Sequence, residues 1–150
     1  SWSKNNRVNI RNPKSTRPWQ HVLEAISGYL FLAYYLSKNN NYKYKYEAFN
    51  FGPNKNNNFS VLDLIKSMKK KWNKINWIIL GKKQFEESNL LRLNISKAAK
   101  CLNWKPILTF NETSKMVVEW YKSYYLNQDM YNFSLDQIRT YEKRMLKKNK

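Results

Sequence analysis

Glycine is nearly absent from this 150-residue chain. There are three, Gly28, Gly52 and Gly81, about 2% where roughly 7% is usual. No two stand within twenty positions of each other, so no glycine-rich loop that cradles a dinucleotide or a triphosphate can be written from them. There is one cysteine, Cys101, and one histidine, His21, which excludes an internal disulfide and a Cys/His zinc site and fits a reducing compartment. Long apolar runs are missing too. The longest, Tyr29–Leu36, has eight residues, well short of the ~18 that would span a bilayer. The N-terminus lacks the basic, apolar, small-residue order of a signal peptide. It begins with Ser, which hints at a chain that is not a complete translation product.

Acidic residues are scarce: 10 Asp+Glu against 28 Lys+Arg leave a net charge of +18. Such a charge suits nucleic acid or an anionic surface. Yet 22 of the basic residues are Lys and 21 residues are Asn, a pair that rises together in A/T-rich coding sequence without any ligand. What is abundant is aromatic: 16% of the chain, with six Trp and eleven Tyr. With 42% apolar residues the composition is that of a packed domain rather than a disordered one.

The pattern along the chain predicts an α/β order. Val8–Ile10 reads as a short strand and Arg11–Pro18 as an exposed irregular loop. Val22–Ser37 reads as a helix apolar on almost every face, hence covered on several sides. Lys45–Phe51 reads as a strand, so that two strands flanking this helix form one βαβ unit whose remaining sheet is missing. Ser60-Val-Leu-Asp63 is a capping box opening a helix to about Lys71, with Val61, Leu64, Ile65 and Met68 inward. Trp77–Leu80 and Leu90–Leu93 read as short extended pieces, and Ser96–Leu102 as a helix stopped by Asn103-Trp-Lys-Pro106. Thr109-Phe-Asn-Glu112 opens a helix to about Tyr125, with Met116, Val117, Trp120, Tyr121 and Tyr124 inward. Ser134-Leu-Asp-Gln137 opens a last basic helix that frays from Lys143.

One run stands out: Ile10-Arg-Asn-Pro-Lys-Ser-Thr-Arg-Pro-Trp-Gln-His-Val22. Collinear with it come Ala48-Phe-Asn-Phe-Gly-Pro53, Leu93-Asn-Ile-Ser-Lys-Ala98 with Leu102-Asn-Trp-Lys-Pro106, Val118-Glu-Trp-Tyr-Lys122, and Asp129-Met130 with Gln137-Ile138 and Tyr141. These five segments, in this order, resemble the CDP-glucose 4,6-dehydratases, members of the extended short-chain dehydrogenase/reductase superfamily. The resemblance covers nearly the whole chain.

It implies a C-terminal portion. Residues 1–52 would be the last helix–strand unit of an NAD-binding Rossmann domain, and residues 53–150 a small α/β substrate-binding domain. The family converts CDP-glucose to CDP-4-keto-6-deoxyglucose, a lyase reaction of deoxysugar and lipopolysaccharide O-antigen biosynthesis, in the cytoplasm and as a homodimer. NAD takes hydride from sugar C4, water leaves across C5–C6, and hydride returns at C6. NAD would belong to the intact enzyme and not to this chain alone. The family's catalytic base is the Tyr of a Tyr-x-x-x-Lys pair. Tyr34…Lys38 has that spacing, but with this many Tyr and Lys a chance match is expected, and the resemblance places Tyr34 downstream of the catalytic pair. No catalytic and no metal residue is assigned, and the isolated chain is expected to be inactive.

The resemblance implies that Arg17 contacts the substrate pyrophosphate, a task suited to the planar guanidinium fork. Trp19, His21, Arg11 and Glu87 join it as substrate-binding candidates. His21 reads equally as a buried side chain tying loop to helix, and Trp19 as a staple. There are departures from the family: Glu86 stands for a His before Glu87, Asn94 for Asp, and Asn103 for Gly, the last tolerable in a left-handed position. Two alternatives remain open: a piece of another nucleotide-sugar epimerase or dehydratase, or a small basic nucleic-acid-binding module. Membranes are not an expected partner. A corollary concerns the helix from Val22, which should leave an apolar face uncovered where the rest of the sheet is lacking.

Overall fold

The computed structural model describes residues 1–39, 44–81 and 91–148. After a single 3-10 turn at Trp2–Lys4 come β1 (Val8–Ile10), α1 (Val22–Asn39), α2 (Val61–Lys69), β2 (Trp77–Ile79), α3 (Ser96–Leu102), α4 (Phe110–Tyr125) and α5 (Met130–Lys148). The order is mixed α/β, as expected. β1 and β2 form a two-stranded parallel sheet in the register Val8↔Trp77, Asn9↔Ile78, Ile10↔Ile79.

This pairing corrects the βαβ unit read from the sequence. The parallel partner of β1 is β2, and Lys45–Phe51 forms no ladder among the described residues. Its aromatic residues do suit an extended backbone, but no neighbouring strand stands beside it. Phe51 instead turns into a core against α1 and α3, with Ala98, Leu102 and Trp104. A second core joins Ile10, Ile65, Ile75 and Val118, packing β1, α2 and α4 together with Trp72 and Trp77.

Two of the three capping boxes form as read. Ser60 accepts from Asp63 N–H while Asp63 reaches back to Ser60 N–H, and Thr109 and Glu112 do the same for α4. The third does not. α5 begins five residues earlier, because the Asp129 carboxylate accepts from the N–H groups of Tyr131 and Asn132 at 3.1 Å each. Ser134 then lies one turn inside the helix, and its hydroxyl donates to Met130 O at 2.7 Å. The helix runs on to Lys148. The inner face of α4 is also rotated from expectation. Phe110, Ser114 and Val118 are buried, Met116, Val117 and Trp120 are half-buried, and Tyr121 and Tyr124 are exposed, with Tyr124 stacked on Trp120 at 5.6 Å. Asn103 ends α3 with φ 52°, the left-handed position foreseen for it.

α1 has the composition of a helix buried all round, yet the described residues cover one stripe of it. Glu24, Ser27 and Gly28 lie within, with Phe31, Leu32 and Tyr35 half-buried behind them. Val22 (61%), Tyr29 (62%) and Leu30 (65%) stay exposed, as do Ile26 and Tyr34. The sequence expectation of an uncovered apolar face is met, and that of cover on several sides is not. No helix among the described residues is long and apolar enough to cross a membrane.

Candidate functional site

The loop between β1 and α1 carries four of the five candidate side chains. It was expected to be exposed, but most of it is half-buried and Ser15 is buried. The cause is α2, whose first N–H groups have no partner within their own helix. Val61 N–H donates to Ser15 O and Leu62 N–H to Pro13 O, at 3.0 Å each, and Thr16 bridges Ser60. The loop thus acts as the backbone cap of α2.

Its side chains fasten the other edge. Trp19 Nε1 donates to Phe59 O at 2.9 Å. Gln20 Nε2 donates to Phe51 O at 3.0 Å. The Gln20 Oε1 beside it is buried with no hydrogen-bond partner among the described residues. His21 is buried, and its Nδ1 accepts from Leu23 N–H at 3.3 Å, which assigns its proton to Nε2. Burial lowers the His21 pKa from its ordinary value, so the ring is neutral at neutral pH. Arg17 Nη1 donates to Thr16 O at 2.8 Å. Arg11 stands directly after β1 and is exposed.

None of the recesses lined by described residues gathers the candidates together. His21 lines an apolar cavity of about 340 Å³, with Val22, Val117, Trp120, Gln137 and Ile138 from α1, α4 and α5; Arg11, Arg17 and Trp19 do not line it. Next to Arg17, Pro18 lines a shallow cleft with Pro53, Asn54, Lys55 and Arg92, a basic setting with no acidic residue among the described residues of its lining. Glu87, with its neighbour Glu86, lies outside the described residues. The Tyr34…Lys38 pair sits on the exposed side of α1, with Lys38 Nζ 4.9 Å from the Tyr34 ring centroid; neither residue lines any of these recesses.

Behind the loop lies a buried polar cluster. Glu24 Oε1 accepts from Ile107 N–H at 2.9 Å and Leu108 N–H at 2.6 Å, and Oε2 accepts from the Tyr141 hydroxyl at 3.0 Å. Ser27 Oγ accepts from Trp104 Nε1 at 3.0 Å, donates to Glu24 O at 2.8 Å, and lies 3.0 Å from Tyr141 Oη. Burial pushes the Tyr141 pKa upward, so its hydroxyl stays protonated and able to donate. Sequence reasoning did not assign Gln20, Glu24 or Tyr141 to the site. A signal was there, since Glu24 is the one acid in an otherwise apolar helix, and such a residue inside a core must be paired.

A dinucleotide does not fit these residues. No glycine has a left-handed backbone, the β1–α1 loop contains none, and the first turn of α1 carries Glu24, whose charge disfavours a phosphate there. Among the described residues no three His, Cys, Asp or Glu side chains group as metal ligands.

Comparison with known proteins adds one finding to this geometry. The chain is 36% identical over 142 residues to the CDP-glucose 4,6-dehydratase of Salmonella typhimurium. The resemblance read from the motifs is real. It extends over 94% of the chain but only 39% of that protein, so the chain spans about two fifths of its relative's length. No family model matches the chain. The similarity relates the chain to a nucleotide-sugar dehydratase.

Proposed function

We propose that the chain is the C-terminal, substrate-binding part of a nucleotide-sugar 4,6-dehydratase acting on CDP-glucose, with residues 1–52 belonging to the Rossmann domain and residues 53–150 forming the substrate domain. What supports the reading is the match along 94% of the chain to a CDP-glucose 4,6-dehydratase. Arg17 donates to the substrate pyrophosphate, and Lys55 and Arg92 around the neighbouring cleft add positive potential. Trp19 and His21 shape the loop, Arg11 adds charge at its start, and Glu87 contributes to the sugar-nucleotide site. NAD, which these residues do not fit, is held by chain outside the 150 residues, as is the catalytic Tyr/Lys pair. The intact enzyme is a cytoplasmic homodimer.

The apolar face of α1 accords with this reading, since it would lie against the remainder of the sheet. The test is calorimetric titration of the chain with CDP, UDP, GDP and dTDP. CDP is expected to bind best. Arg17→Ala should weaken its binding by ~1.5–3 kcal/mol, the range for a hydrogen bond to a charged group. Unchanged affinity would remove Arg17 from the site, and preference for another nucleotide would reassign the substrate.

A further inference from the structure

The Arg17–His21 loop is held from two sides. On one, Trp19 and Gln20 are tied to the carbonyls of Phe59 and Phe51. On the other, the loop hangs from the first turn of α1: Leu23 N–H donates to His21 Nδ1 and Glu24 N–H to His21 O, the latter at 3.0 Å. Among the described residues, none of that turn belongs to either apolar core. The turn is held by the Glu24 carboxylate and the Ser27 hydroxyl, which take donors from the α3–α4 connection and from α5, 114 and 117 residues away in the case of Tyr141.

We propose that Glu24 and Tyr141 are positioning residues, which set the place of the Arg17–His21 loop by fixing the first turn of α1 on the far side from the ligand. A closed set of directional bonds admits one arrangement, whereas an apolar contact of the same size tolerates sliding. The consequence for ligand binding rests on the CDP reading above; the consequence for His21 does not.

His21 is the chain's one histidine, so its ring nitrogens give a single, assignable pair of signals in a long-range ¹H–¹⁵N spectrum. Tyr141→Phe removes a donor to Glu24, and Ser27→Ala removes the hydroxyl that links Trp104 to Glu24. Ile75→Val serves as the control, because Ile75 is buried in the other core, with Ile10, Ile65 and Val118. Each variant is compared well below its melting midpoint. Tyr141→Phe and Ser27→Ala should both shift the His21 ring signals and weaken CDP binding by about three- to tenfold. Ile75→Val should lower stability yet move neither readout. Should Tyr141→Phe fail to fold, Ser27→Ala carries the test alone. Unmoved His21 signals in the folded variants, or an equal shift in Ile75→Val, would overturn the positioning role. Shifted signals in a chain that binds no CDP would uphold it and overturn the nucleotide reading instead.

Discussion

Gly28 lies on the buried side of α1, in mid-helix, where glycine costs ~0.8–1.0 kcal/mol relative to alanine. The structure supplies the reason for it. The ring of Phe51 rests on the helix at this point, and a Cβ added to Gly28 would stand 2.9 Å from Phe51 Cε1 and nearer still to Cγ and Cδ1. The ring cannot retreat easily, since it meets Trp104 edge-on at 5.0 Å and Tyr29 edge-on at 5.6 Å. Overpacking of this kind costs ~1–3 kcal/mol. Three rings would have to move, which places the cost toward the upper end and exceeds the helix gain. Gly28→Ala should therefore lower stability by ~1–2 kcal/mol. Urea denaturation followed by tryptophan fluorescence and circular dichroism reads the change at constant m-value. Phe51→Leu in the same background should restore part of it, so the two substitutions together cost less than their sum. Because Phe51 O accepts from Gln20, Gly28→Ala should also weaken CDP binding. An increase in stability of about 1 kcal/mol, the behaviour of an exposed helical glycine, would refute the packing argument.

The remaining predictions concern charge and surface. The Arg144 guanidinium beside Glu112, with Thr109 N–H and hydroxyl, holds the Glu112 carboxyl down to about 2 from 4.5. The folded state thus binds this proton more weakly, and the stabilisation is complete above about pH 4.5 and is lost as pH falls toward 2. Glu112 is about one third exposed, which reduces the contribution to about 1 kcal/mol after screening. The gap in melting temperature between the chain and its Arg144→Met variant should be largest near neutrality and shrink below pH 4.5; a gap independent of pH would show that the pair is not its source. The exposed face of α1 should bind a hydrophobic dye or cause self-association, and Leu30→Glu with Tyr29→Lys should suppress both. A dye-silent, monodisperse wild-type chain would mean that this face is not a docking surface.

Local signals were legible in the sequence, and long-range ones were not. Ser60 and Thr109 announced their helices because capping is settled within four residues. Ser134 misled because Asp129, with a carboxylate in reach of two N–H groups, starts the helix first and leaves the serine inside it. β1 was legible as a strand but its partner was not, since pairing with β2 depends on residues 69 positions downstream. The inner face of α4 was misread through its aromatics: Tyr121 and Tyr124 counted as core, whereas small Ser114 and Val118 face the neighbouring helix and strand. Periodicity finds a helix more readily than it finds which side of a two-sided apolar helix is covered.

The motif that carried the resemblance illustrates a further separation, between what identifies a site and what performs its chemistry. In the run Arg17-Pro-Trp-Gln-His21, four side chains are bound to the protein itself, Arg17 among them through Nη1 to Thr16 O. Trp19 and Gln20 donate to backbone carbonyls, and His21 accepts from the helix it precedes. Their identities are demanded by geometry: an indole N–H and an amide N–H reach Phe59 O and Phe51 O, and a neutral imidazole nitrogen caps Leu23. A run so specified by its own folding is easily recognised, yet most of it never needs to touch a ligand. Arg17 is the residue of the run whose chemistry suits an anion, and its direction is inherited from the others. Substitutions at Trp19, Gln20, Glu24 and Tyr141 should consequently converge on the same phenotype, a displaced Arg17, although only the arginine meets the pyrophosphate in the proposed complex.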